Sequence, residues 1–294
     1  MPLRTIVAGV DEAPGARDAA ALAAALGEAC GAEVLLVVVC PELLPLPDAL
    51  REQGRRKAAE LVERVRDEVA HAARTEVAHA ASPAKALRRA AAEAGADLLV
   101  LGSASGTPEG GARSGRTARQ VMGDAPCPVA VAAAGLRAKA SAPRSIVVGV
   151  NEHAESVEAL RFAHDLAAAT GARLKAVAVA EEMLPVSPIP LATVIEVARW
   201  DKIVADRRAA LERRLDALLA DHPETEREVR VGDPVEELAA AAADADLLIV
   251  GSRHWGPLDR VSLGTTSEAL VGGAPCSLVV VPRPADGDPA GRDG

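Results

Sequence analysis

At 294 residues and 30.1 kDa, the chain has the length of about two ordinary domains. Its 49% hydrophobic and 26% charged residues describe a globular protein and exclude wholesale disorder. One Phe, two Trp and no Tyr leave no aromatic platform for single-stranded nucleic acid, and a net charge of −9 argues against a duplex-binding surface, so no nucleic-acid partner is expected.

No apolar run reaches the ~18–20 residues of a membrane span. Met1-Pro2-Leu3-Arg4 leads directly into a strand-like run without a signal-peptide core. The four cysteines (Cys30, Cys40, Cys127, Cys276) show no C-x-x-C pair and no metal-ligand spacing with a histidine. The expectation is a cytoplasmic protein with reduced, mostly buried thiols, no membrane partner and no resident metal.

Strand and helix alternate along the chain. Apolar and β-branched runs predict strands at 5–10, 34–39, 76–80, 98–101 and 128–132, and Ala/Leu-rich or charge-laced stretches predict helices at 14–30, 48–73, 83–95 and 115–123. Pro83 suits a first helical turn, where its missing N–H costs nothing. The order then returns, with strands at 146–150, 174–180, 228–231, 247–250 and 277–281 and helices at 156–170, 193–220, 234–243 and 264–271.

That return is a duplication. Ile6-Val7-Ala8-Gly9-Val10-Asp11-Glu12 recurs as Ile146-Val147-Val148-Gly149-Val150-Asn151-Glu152, and Gly31-Ala32 as Gly171-Ala172, both displaced by 140. Asp97-Leu98-Leu99-Val100-Leu101-Gly102-Ser103 returns as Asp246-Leu247-Leu248-Ile249-Val250-Gly251-Ser252, and Ala125-Pro126-Cys127 as Ala274-Pro275-Cys276, now displaced by 149. A period this long makes each copy a domain, 1–135 and 145–283, joined by an Ala/Gly/Ser/Lys stretch at 133–144. A Gly/Pro/Asp-rich tail, 284–294, is expected to be disordered. Continuously apolar strands alternating with helices imply sheets buried on both faces with right-handed crossovers. The fold class is α/β, as two doubly wound, five-stranded parallel-sheet domains.

Ligands of such sheets bind beyond the carboxyl ends of the strands, where strand order reverses. Three elements of each copy lie there. Asp11 or Asn151, after the first strand, either bonds sugar hydroxyls or caps the following turn. The segments from Gly102 to Gly115 and from Gly251 to Gly264 end in helix starts with free N–H groups; they form a phosphate cradle or a capped surface helix. Thr265 is a candidate both for the helix cap and for a phosphate contact, with Thr266 beside it. Val39 and Val179, at the second strands, offer backbone groups to a base edge.

Other patterns carry no chemistry. Gly110–Thr117 mimics a P-loop with Arg116 for the lysine, but stands nine positions past its strand. Ala104 occupies the nucleophile slot of an elbow-like Gly102–Gly106. The six histidines lack H-E-x-x-H spacing and read as lone surface or capping residues, and the arginines at 51–57, 207–208 and 213–214 read as solvated helix faces.

Together, the opening strand with its Asp11 or Asn151, the Asp-Leu-Leu-Val/Ile-x-Gly-Ser strand ends and the Ala-Pro-Cys turns resemble the universal stress protein family over essentially the whole chain. The resemblance implies an adenine nucleotide alpha hydrolase-like fold with last strands (128–132 and 277–281) pairing antiparallel between domains. It also implies a stress-response role and, in ATP-binding members, Gly-x-x-Gly, nine residues, then Gly-Ser/Thr. Here the second copy reads Gly251, His254, Gly264, Thr265, with Asn151 for the acid. The first reads Gly102, Ser105, Gly115, Arg116 and keeps Asp11. Two readings follow: a cytoplasmic protein that binds ATP with Mg, or another adenine nucleotide, in one or both domains with at most slow hydrolysis; or a protein-interaction module with degenerate clefts. The tandem copies imply a pseudo-dimer within one chain and leave further homodimerisation and the protein partner open.

Overall fold

The computed structural model describes residues 3–41, 47–139, 141–151, 154–181, 194–252 and 264–282. The first copy runs β1 (Thr5–Val10), α1 (Pro14–Cys30), β2 (Glu33–Pro41), α2 (Asp48–Val69), β3 (Arg74–Ala80), α3 (Pro83–Glu93), β4 (Leu98–Gly102), α4 (Arg116–Met122) and β5 (Val129–Ala132). The second runs β6 (Ser145–Val150), α5 (Ala154–Thr170), β7 (Arg173–Glu181), α6 (Val194–Leu218), β8 (Glu226–Gly232), α7 (Pro234–Ala241), β9 (Leu247–Gly251), α8 (Thr265–Gly272) and β10 (Ser277–Val281). The predicted order holds throughout. The helix expected to reach 73 stops at Val69, because Ala70 leaves helical backbone (φ −145°) and the Ala73 amide closes a turn on its carbonyl at 2.8 Å. The expected tail lies outside the described residues.

The ten strands form one sheet in the order β3-β2-β1-β4-β5-β10-β9-β6-β7-β8. Strands within each copy are parallel, and β5 meets β10 antiparallel, with Val131 opposite Leu278, Ala130 opposite Val279 and Val129 opposite Val280. At the 149-residue displacement, Val279 is the repeat equivalent of Ala130, so the central pair joins a residue to its own counterpart. That is the signature of a twofold axis inside one chain, and it realises the antiparallel joint implied by the resemblance.

The alternation of strand side chains gives the sheet two apolar faces, each continuous across both copies. Ile6, Ala8, Ala130, Ile146, Val148 and Val279 pack under α1, α2, α5 and α6. Val7, Leu99, Val129, Val131, Leu248 and Val280 pack under α3, α4, α7 and α8. Aliphatic residues do this work almost alone, as the aromatic shortage requires. Strand order reverses between β1 and β4 and between β6 and β9, and these two switch points place the candidate clefts. Among the described residues no helix is long and apolar enough to cross a membrane.

The repeated aspartates are structural. Asp97 accepts hydrogen bonds from the amides of Arg4 (2.8 Å) and Thr5 (3.0 Å), and Asp246 does the same for Arg144 (2.8 Å) and Ser145 (3.0 Å). Each ties the start of its domain's first strand to the entry of the fourth. The stretch joining the copies is anchored in its turn. Asp18 on α1, 2% exposed, accepts from the amides of Gly135 and Arg137, both at 3.0 Å, and Leu136–Lys139 forms a short 3-10 turn on α1. Arg137 Nη1 stands 3.6 Å from the same carboxylate and donates to the Pro14 carbonyl at 3.2 Å.

All four cysteines are free thiols. Cys127 and Cys276 are buried repeat equivalents, and burial, reinforced by Asp97 and Asp246 respectively, pushes each thiol up to about 12. Cys30 and Cys40 are half-buried.

Two predictions follow from this architecture. Asp18→Ala strips the acceptor from two amides at the joint and is expected to cost about 2–3 kcal/mol, read as a lower urea midpoint with an unchanged slope. The two buried thiols hold their protons in the folded state at pH values where the unfolded chain releases them. Their contribution to stability is therefore complete below about pH 9 and is lost as pH rises from 9 towards 12. Denaturant titrations from pH 8 to 11 check the sign, and Cys127→Ala with Cys276→Ala flattens the slope.

Candidate functional site

The second switch point opens into a cavity of about 650 Å³, within the range of small-molecule sites. Asn151 follows β6, Gly251 and Ser252 end β9, Val179 comes from β7, and Gly264, Thr265 and Thr266 start α8; all line the cavity. Of the residues expected in this cleft, His254 lies outside the described residues.

The start of α8 is bare of side-chain caps. Gly264 is the N-cap, Thr265 occupies the first helical position, and no side chain caps the helix. The expected capping role of Thr265 is thus not realised, because the cap position falls one residue earlier. The helical ladder begins with Glu268 N donating to Gly264 O at 2.8 Å, so the amides of Thr265, Thr266 and Ser267 precede it. Ser267 Oγ donates to Gly251 O at 2.7 Å, holding the helix start against the end of β9.

Three features of this cleft depart from expectation. Arg207 and Arg214 of α6, expected on solvated helix faces, both line the cavity. Arg214 Nε donates to the Asn151 carbonyl at 3.3 Å. Their spacing of seven, two helical turns, was the available signal that they share a face. Arg208, by contrast, pairs with Glu212 at 2.9 Å as a helix-surface bridge. The third is Ser252, 1% exposed, whose Oγ has no hydrogen-bond partner among the described residues.

In the first copy the equivalent serine is fully engaged. Ser103 Oγ donates to Ala132 O at 2.7 Å and accepts from Arg113 N at 3.2 Å. The chain beyond it folds back as a ribbon in which Ala104 N donates to Arg113 O and Ser114 faces Ser103. That ribbon crosses to the second domain: Ala112 and Ala274 exchange amide–carbonyl bonds at 2.9 and 2.8 Å, and Ser114 N donates to Val271 O at 2.9 Å. Gly110 N donates to Ala134 O and Gly111 N to Pro108 O. The amides of Ala104, Thr107, Gly110, Gly111, Ala112, Arg113 and Ser114 are therefore all engaged. This also disposes of the P-loop lookalike, which needs those donors for phosphate.

The remaining first-copy candidates lie around this ribbon. Asp11 Oδ1 accepts from Ala13 N at 2.9 Å, so the acid closes the β1–α1 turn. Ser105 is exposed, and its carbonyl accepts from Arg113 Nη2 at 2.9 Å. Gly115 is the N-cap of α4, a helix of seven residues, with Arg116 exposed at its first position. Gly102 is pressed against α1: a Cβ there would lie 2.1 Å from the Gly15 carbonyl oxygen. Val39 stays in the sheet, paired with Ala78.

The expectation of lone histidines fails at one place. His164 on α5 and His222, between α6 and β8, stack with ring centroids 3.7 Å apart, and Glu224 lies beside them. No local spacing signals this contact between residues so far apart in the chain.

Comparison with known proteins bears on the whole chain. The sequence profile described as "Universal stress protein family" matches residues 2–133 and again 143–282. A universal stress protein from Archaeoglobus fulgidus superposes with a TM-score of 0.71 at 18% identity, over 95% of this chain and 98% of that one. One described as putative, from Pseudomonas aeruginosa, gives 0.62 at 17% identity over 95% and 93%. A universal stress protein solved in complex with cAMP matches 48% of this chain and 98% of its own, at 24% identity and a TM-score of 0.31. No curated protein matches the chain.

The two loop serines give opposite expectations. Ser103→Ala removes two hydrogen bonds and leaves the Arg113 amide unpaired, at a cost of about 1–2 kcal/mol. Ser252→Ala removes a hydroxyl with no partner among the described residues and is expected to be neutral or slightly stabilising in the ligand-free protein. Paired urea denaturation of the two variants measures the difference.

Proposed function

The chain belongs to the universal stress protein family as a tandem member, and on that premise we propose that it is a stress-response protein that binds an adenine nucleotide, foremost ATP with Mg²⁺, in its second domain alone. The observation that carries the proposal is the second cleft itself, where the first-turn amides of α8 meet a cavity of about 650 Å³ lined by Arg207 and Arg214. The first copy leaves the equivalent amides of α4 ahead of its ladder too, but that helix has seven residues and the loop before it spends its amides within the protein.

The residues of that cleft fit the ligand. Amides ahead of the helical ladder, at the positive end of the helix dipole, favour phosphate oxygens. Arg207 and Arg214 add cationic charge from the opposite wall, and Ser252 Oγ supplies a buried hydroxyl lacking a partner among the described residues. Asn151 is suited to sugar hydroxyls, and Val179 to the base. Gly251, with no Cβ, keeps the strand end narrow where phosphate would approach. Magnesium would enter with the nucleotide, neutralising phosphate charge that the arginines only partly balance. Glu181 is the one carboxylate among the described lining residues, which supports binding with at most slow hydrolysis. In the first domain the structural engagement of the loop favours the second reading, a cleft turned to domain contact. The free thiols suit a reducing cytoplasm.

Thermal-shift and calorimetric titrations with ATP and AMP test the proposal. ATP is expected to raise the melting temperature of the native protein; Thr265→Glu, which sets a carboxylate against the phosphates, abolishes the rise. Arg214→Ala weakens binding about tenfold, or ~1.4 kcal/mol, and Arg116→Glu in the first domain leaves it unchanged. No response to millimolar nucleotide, or a response lost with Arg116→Glu and kept with Thr265→Glu, overturns it.

A further inference from the structure

Away from the nucleotide cleft, the second domain gathers two imidazoles and a carboxylate at positions where the first has alanines, its one histidine in that turn, His71, standing where the second has Pro223. His164 projects from α5, and His222 and Glu224 come from the turn joining α6 to β8. One donor atom from each lies within 4.8 Å of the other two. His222 Nδ1 is 3.4 Å from Glu224 Oε1, and His164 Nε2 is buried with no hydrogen-bond partner among the described residues. A buried ring nitrogen without a partner is a costly arrangement unless something else satisfies it.

The duplication provides an internal control. Displaced by 140, His164 corresponds to Ala24. The β3 and β8 registers against β2 and β7 fix a displacement of 152 for the turn, so His222 corresponds to Ala70 and Glu224 to Ala72. The same turn bond recurs there, Ala73 N to Ala70 O in one copy and Thr225 N to His222 O in the other. The fold thus builds this corner with three alanines, and all three ligand-type residues appear together in one copy.

We propose that His164, His222 and Glu224 form a binding site for a divalent ion of the zinc class, clamping α5 to the α6–β8 turn. Two imidazoles and one carboxylate are a donor set that zinc accepts, with a fourth position left for water. Tetrahedral zinc with bonds of ~2.0–2.1 Å requires donors ~3.3 Å apart, so the cluster contracts on binding. The stacked rings do not yet aim their lone pairs at one point. His222, half-exposed on a turn, is the residue free to swing, while His164 is held by its helix.

The test uses the full chain without an affinity tag or nucleotide, titrated with ZnCl2 and, separately, CoCl2. One equivalent of zinc is expected to survive dialysis and raise the melting temperature. His164→Ala and His222→Ala, each installing the first copy's own residue, lower the affinity at least a hundredfold while circular dichroism stays native. Bound cobalt shows ligand-field bands without a thiolate charge-transfer band, separating this site from the four cysteines. If uptake is not one-to-one, persists in the histidine variants, or shows thiolate ligation, the proposal fails. Because Thr265→Glu leaves zinc uptake intact, loss of the nucleotide reading does not carry this one with it.

Discussion

The antiparallel contact between β5 and β10 is the constraint on which the molecule's form depends. Each domain alone would end in a short strand of buried aliphatic residues with an unpaired backbone edge, a template for unwanted association. Pairing Ala130 with its own equivalent Val279 removes both edges at once and makes two five-stranded sheets into one of ten. The apolar layers above and below then run unbroken from one copy to the other. The same contact sets the loops beyond β4 and the turn after α8 side by side, so the edge pairing decides which loops can cross between domains.

Much of this was legible in the sequence because it rests on period and spacing. The shift in displacement from 140 to 149 located an insertion between the second and fourth strands, and the apolar runs located every strand. The repeated Asp97 and Asp246 were visible as landmarks, but their role, closing two amides at a strand start, required the register of β1 on β4 and of β6 on β9. Asp18 was unreadable for a similar reason. An acid in an alanine-rich helix gives no sign that its acceptors serve Gly135 and Arg137, more than a hundred residues away.

The site was legible in its glycines and opaque in its side chains. Strand ends and helix starts carry local signatures, so Gly251, Gly264 and Thr265 could be placed at one switch point. Arg207 and Arg214 sit on a helix whose charge pattern resembles any solvated surface, and only the packing of α6 over β7 turns them towards the cleft. His164 and His222 meet through the stacking of α5 beside the α6–β8 turn. Contacts of this kind are set by tertiary packing and leave no trace in local periodicity.

A twofold pair of domains begins with two equivalent clefts, and the first-copy loop carries glycines that the second copy lacks. The first-copy ribbon needs left-handed backbone at Gly106 (φ 76°) and Gly110 (φ 84°), which glycine supplies freely. Displaced by 149, those positions are Trp255 and Asp259, so the second copy does not carry the ribbon's glycines. The ribbon's cross-domain bonds end on Val271, in the last turn of α8, and on Ala274 just beyond it. The loop whose amides are engaged within the first domain therefore grips the far end of the helix whose first turn faces the cavity in the other. Fixing that helix at its C-terminal end, while Ser267 fixes its start to Gly251, holds the three leading amides in place before any ligand arrives. Preorganisation of this kind reduces the ordering cost of binding, and it makes the altered first cleft a structural support of the second.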